Sequence, residues 1–184
     1  MGGADGNARL TAAAAAVLTV LLIAEGLTLF GVQQLLLPHI FIGLLLVPPV
    51  LLKLGSTGWR MVSYYRNVEE YVRKGPPHAF LRMLVAPVLV VATVVMFATG
   101  IAAAAVGHGG LLLGLHKVSF VVWGIAFGVH FLAHALKVPP LLVGTSRVRS
   151  YLIAASLVVG LVAAIAAFPL AHHWHDQFGF GGDD

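Results

Sequence analysis

Five long apolar runs divide this chain, at residues 10–30, 35–54, 80–105, 111–136 and 151–171. Each is near the ~20 residues that an α-helix needs to cross a bilayer. Inside hydrocarbon every backbone N–H and C=O must be satisfied within the segment, so runs of this kind fold as helices. Composition agrees: the chain is 59% hydrophobic and only 10% charged, with mean hydropathy +0.95, whereas soluble domains carry about a quarter charged residues. The expectation is an all-α, polytopic membrane protein with five transmembrane helices. A disordered N-terminus (1–9), a single transmembrane domain (10–171) and a polar C-terminal tail (172–184) complete the organisation. The first run carries Glu25 and leads into the second without a small-residue cleavage pattern, so no signal peptide is expected.

The distribution of Lys and Arg sets an expected orientation. Lys53, Arg60, Arg66, Arg73, Lys74 and Arg82 lie in or beside the loop between runs two and three, and Lys137, Arg147 and Arg149 flank the loop between runs four and five. Arg9 precedes the first run, and only Lys117 falls on the opposite side. Positive charge accumulates on the cytoplasmic side, which places the amino terminus inside and the carboxyl terminus outside a plasma membrane. Because the basic residues mark one membrane face, the net charge of +4 does not point to nucleic acid.

The loop between runs two and three has its own pattern. Met61, Tyr64, Tyr65, Val68, Tyr71 and Val72 recur at helical spacing, with Arg60, Arg66, Glu69, Glu70, Arg73 and Lys74 on the other face. This predicts an amphipathic cytoplasmic helix over 58–74, lying in the headgroup region, where it shapes the loop or docks a cytoplasmic partner. Gly75-Pro76-Pro77 would stop it. Pro48-Pro49 in the second run predicts a kink, since proline removes a backbone donor and crowds the preceding turn.

Zero cysteines exclude a disulfide, a thiolate-held iron–sulfur cluster and covalent haem attachment. Redox chemistry would need a cofactor held by histidine or by weaker contacts, and histidines are what these runs contain. His39 and His116 lie a few residues into the second and fourth runs, which cross in the same direction, so both sit at similar depth near the outer leaflet. Ionisable groups at membrane depth default to a functional hypothesis. Two neutral imidazoles on facing helices are suited to ligate one haem iron. Gly43, one turn from His39, and Gly124 and Gly128 on the fourth run would let a flat porphyrin approach the backbone. Gly124 and Gly128 also form a small-xxx-small pair suited to helix packing, and both roles are compatible.

His130 follows His116 by fourteen residues, about 21 Å along a helix, and His134 follows one turn later within about 40° of the same face. The matching position on the second run, fourteen after His39, is Lys53, which tends to snorkel toward headgroups rather than bind haem. His78 is the remaining candidate partner for an inner haem, by depth alone. Against the cofactor reading stands one in which these histidines bond between helices or, with Glu25, carry protons; Glu25 is expected to bond to a neighbouring backbone or to His39. In the tail, His172-His173-x-His175-Asp176 is either a divalent-metal site or a set of interfacial polar residues, with Trp174 in an aromatic belt.

Several stretches carry a resemblance: Pro38-His39-Ile40-Phe41-Ile42-Gly43, Lys53-Leu54-Gly55-Ser56-Thr57-Gly58-Trp59-Arg60, Gly75-Pro76-Pro77, and Leu115-His116-Lys117-Val118-Ser119-Phe120-Val121-Val122-Trp123 with His130 and His134. Over nearly the whole chain these resemble a group of uncharacterised actinobacterial integral membrane proteins. More distantly the chain is similar to cytochrome b-type four-helix proteins, including flavinylation-associated members. Those use H-x-x-x-G with a second histidine about fourteen residues on; His39 with Gly43 matches the first part, His116 with His130 matches the spacing, and Lys53 departs from it. The resemblance implies transmembrane or quinone-linked electron transfer with partner proteins carrying other redox centres. The expectation is a four-helix core from runs two to five holding haem b through His39 and His116. A second haem would involve His130, His134 and His78. The chain reads as an electron-transfer subunit rather than a stand-alone enzyme. The alternative is a non-redox membrane scaffold or small transporter subunit, with an intramembrane hydrolase ranked last for want of carboxylates beside the histidines.

Overall fold

In a computed structural model, which describes residues 3–75, 78–106, 110–142 and 146–169, the chain is helical with no strand among those residues. Seven helices follow in order: α1 (Gly3–Thr28), α2 (Leu36–Tyr65), α3 (Glu69–Arg73), α4 (Ala86–Val106, entered through a π-helical turn at Leu81–Val85), α5 (Gly110–His134), α6 (Pro139–Leu142) and α7 (Arg147–Ala166). Five of them (α1, α2, α4, α5 and α7, counted with their adjoining turns) are long and apolar enough to cross a membrane, so this is a multi-pass membrane protein. The outward faces agree, with Val20, Ile125, Leu132 and Val159 largely exposed. The tail His172, His173, Trp174, His175 and Asp176 and the Pro76-Pro77 stop lie outside the described residues.

Small residues make the seams. α4 packs along α5, and α2 packs on one side against α1 and on the other against α7. Ala12, Ala14, Ala92, Ala103, Ala126 and Ala164 are buried at these contacts, where short side chains bring backbones close enough for dispersion to hold them. Thr93 and Thr99 bond back to the carbonyls of Leu89 and Val95, both at 2.6 Å, which satisfies their hydroxyls within their own helix.

The α2–α7 seam has a particular cause. Proline at 49 leaves the carbonyl of Leu45 without its helical donor, yet α2 runs through Pro48-Pro49 as a continuous helix. Gly160 of α7 packs on that same carbonyl, so closely that a Cβ there would lie 2.5 Å from the Leu45 oxygen. Ser156 and Ala164, one turn to either side, are buried in the same seam.

Three expectations are corrected. Residues 3–9 are not disordered: they begin α1 and dock against the end of α2 and α3. Asn7 donates to the Ser56 carbonyl at 2.9 Å, Ala4 N–H donates to Glu70 at 2.9 Å, and Asp5 pairs with Lys74. The carboxylate of Glu70 thereby satisfies an orphan donor at a helix start, where the dipole also favours it. The stretch 58–74 is not one helix. Residues through Tyr65 extend α2, Asn67 turns the chain at φ 57°, and α3 follows separately. Asn is among the few side chains that tolerate this left-handed conformation. Finally, the four helices around the interior are α1, α2, α4 and α5, not spans two to five; α7 lies outside, against α2.

Candidate cofactor site

The two seams α1–α2 and α4–α5 face each other with little backbone contact between them, and a cavity of about 1000 Å³ separates them. That is the upper end of the size of small-molecule sites. Its walls come from α1, α2, α4 and α5 and are mostly apolar.

His39 of α2 and His116 of α5 meet at one end of it, with ring centroids 6.2 Å apart and planes 81° to each other. Each ring is held through Nδ1 by a different helix. His39 Nδ1 lies 2.9 Å from the Glu25 carboxylate and 3.1 Å from the Thr28 hydroxyl. That hydroxyl donates to the Glu25 carbonyl at 2.6 Å, so it accepts from the imidazole, and both contacts place the proton on Nδ1. His116 Nδ1 lies 2.8 Å from the Met96 carbonyl, which only accepts, and again Nδ1 is the donor. Among the described residues neither Nε2 has a hydrogen-bond partner, and each keeps its lone pair for a ligand.

Gly100 makes the second arrangement feasible. The His116 ring lies over it, and a Cβ at that position would come within 2.9 Å of Nδ1 and Cε1. Gly43 lines the cavity beside Glu25, 3.5 Å from where its own Cβ would stand. Gly124 and Gly128 do not line the cavity, and a Cβ on either would meet nothing within 4 Å.

His130 and His134 reach the other end of the chamber. Their rings stack at 4.5 Å, and His134 Nδ1 donates to the His130 carbonyl at 2.9 Å. Both belong to α5, and the side chain that joins them from α2 is Lys53. His78 is exposed and takes no part in the cavity, so the inner pairing expected of it is not formed. It sits in the link before the π-helical turn rather than on a spanning helix.

Between the two ends, α5 presents a ladder that sequence reasoning missed. Phe120, Trp123 and Phe127 stack at 6.3 and 4.7 Å, Phe131 follows tilted at 5.8 Å, and all four line the chamber. Trp123 Nε1 donates to the Thr93 hydroxyl at 3.1 Å and ties the ladder to α4. The signal was available: these positions share the helical face of His116 and His130. Gly100 gave none, because nothing in its own neighbourhood marks it as lying under an imidazole.

Among the described residues no group of three or more His, Cys, Asp or Glu is placed to hold a metal ion. No family model matches the chain, and no curated protein or solved structure is similar to it.

Proposed function

We propose that this protein is a membrane b-type cytochrome that holds one haem between His39 and His116 and passes electrons across or along the plasma membrane. The observation that carries the reading is the paired imidazoles, each with Nδ1 occupied and Nε2 free. With metal–imidazole bonds of about 2.0 Å and a ring radius of about 1.1 Å on each side, two imidazoles in line across one iron have centroids about 6.2 Å apart. The two ring centroids lie 6.2 Å apart, a spacing compatible with that arrangement. A metal held by two protein ligands must bring its remaining ligands with it, and a porphyrin supplies four nitrogens. The Glu25–His39 contact is the carboxylate–histidine arrangement that orients a ligating ring and raises its basicity.

Ligation on both faces leaves no open position on the iron, which favours electron transfer over oxygen chemistry. The distribution of basic residues supports an amino terminus in the cytoplasm, and the resemblance to cytochrome b-type proteins points to a quinone or a redox protein as partner. A second reading, a non-redox scaffold or small transporter subunit, draws on the same interhelical bonds made by His39 and His116. It leaves both Nε2 atoms and the chamber without a use.

The visible spectrum decides between them. Protein purified from haem-replete cells should be coloured, with a spectrum that changes on adding dithionite. His39→Ala and His116→Ala should each lose the haem while His130→Ala keeps it. A colourless wild-type preparation, or full haem content in His116→Ala, would overturn the assignment.

A further inference from the structure

The end of the chamber opposite His39 is lined by Lys53, Arg60, Arg82 and Lys137 together with His130 and His134. Among the described residues none of the four cations has an ion pair or a side-chain hydrogen bond, and the Nε of Arg82 is buried without a partner. Among the described residues the only carboxylate lining the chamber, Glu25, is at the far end and bonded to His39. Arg60 and Lys137 are exposed and reach water or headgroups, but Lys53 and Arg82 are half-buried. Uncompensated cations against apolar walls are costly, and a counter-charge relieves that cost.

A porphyrin at His39 does not supply it. Lys53 lies fourteen residues along α2 from His39, about 21 Å, beyond the reach of a porphyrin's own carboxylates. The shape of the chamber indicates what does. Behind the cations run the apolar walls and the aromatic ladder, so the site has one anionic end and a long apolar body to accommodate. α1 and α5 both line the chamber and form no packed seam with each other, while α6 meets α1 at the Lys137 end. The π-helical turn at Leu81–Val85 carries Arg82 to this end, and such turns recur at binding sites.

We infer that the Lys53–Arg82 end of the chamber binds the phosphate of an anionic membrane phospholipid, whose acyl chain lies along the α5 aromatic ladder. Lys53 and Arg82 lie at the end away from His39, and the site is read out by lipid rather than by colour.

Native mass spectrometry of the full chain released from micelles containing equal phosphatidylglycerol and phosphatidylcholine tests this. One phosphatidylglycerol per chain should be retained, at least tenfold in preference to phosphatidylcholine. Lys53→Gln/Arg82→Gln should lose that preference, and Lys53→Arg/Arg82→Lys, which keeps both charges, should retain it. Equal retention of the two lipids by the wild type overturns the proposal, as does unchanged preference in the glutamine variant or loss of preference in the charge-conserving one. Displacement of the lipid by millimolar inorganic phosphate would assign the site to a soluble anion instead and equally overturn it.

Discussion

The imidazole of His116 lies flat enough over Gly100 that its Nδ1 and Cε1 would both be 2.9 Å from a Cβ at that position. The missing side chain on α4 therefore sets where a ring on α5 points and lets its Nδ1 reach the Met96 carbonyl. Gly100→Ala should push the ring away and weaken that bond. We expect about tenfold weaker haem retention, the lower end of what loss of a supporting contact costs a metal site. Haem-to-protein ratio after purification measures it, and an unchanged ratio would show that the ring needs no such space.

Glu25→Gln keeps the shape of the side chain and removes its charge. In the haem complex proposed above, the carboxylate that accepts from His39 would make this imidazole a stronger donor to the iron and so favour the oxidised form. The reduction potential should rise in the variant by tens of millivolts, about 60 mV for each tenfold change in relative affinity of a one-electron couple. Spectroscopic redox titration reads the shift; a potential that falls would contradict the role.

Gly160→Ala places a methyl 2.5 Å from the carbonyl of Leu45. Because Pro49 stiffens that part of α2, the adjustment should come from α7, with a loss of about 1–3 kcal/mol typical of overpacking. Unfolding in mixed micelles measures it. The haem ratio should stay near wild type, since α7 does not line the chamber.

Asn67→Ala should cost about 1–2 kcal/mol, because alanine is strained at φ 57°, whereas Asn67→Gly should be close to neutral. Thermal unfolding of the two variants side by side checks this; equal stabilities would mean that the chain turns differently there.

The five crossings were legible in the sequence because hydrocarbon makes the choice locally. A run of apolar residues has no other way to satisfy its backbone, whatever lies beside it. The closeness of His39 and His116 was also within reach, from equal depth on two helices crossing in the same direction. The chamber was not, nor the helices that enclose it. Runs two to five looked like the core because they carry the histidines, but lateral placement depends on seams that composition does not encode. Gly160 against an orphaned carbonyl sends α7 outside, while Glu25 and Thr28 bring α1 in beside His39. The ordered start of α1 depends likewise on Glu70, Lys74 and Ser56, all far away in sequence. Local solvation thus determined what each segment became. Contacts between distant residues, several of them to backbone atoms, decided which segments surround the site and which way its imidazoles point.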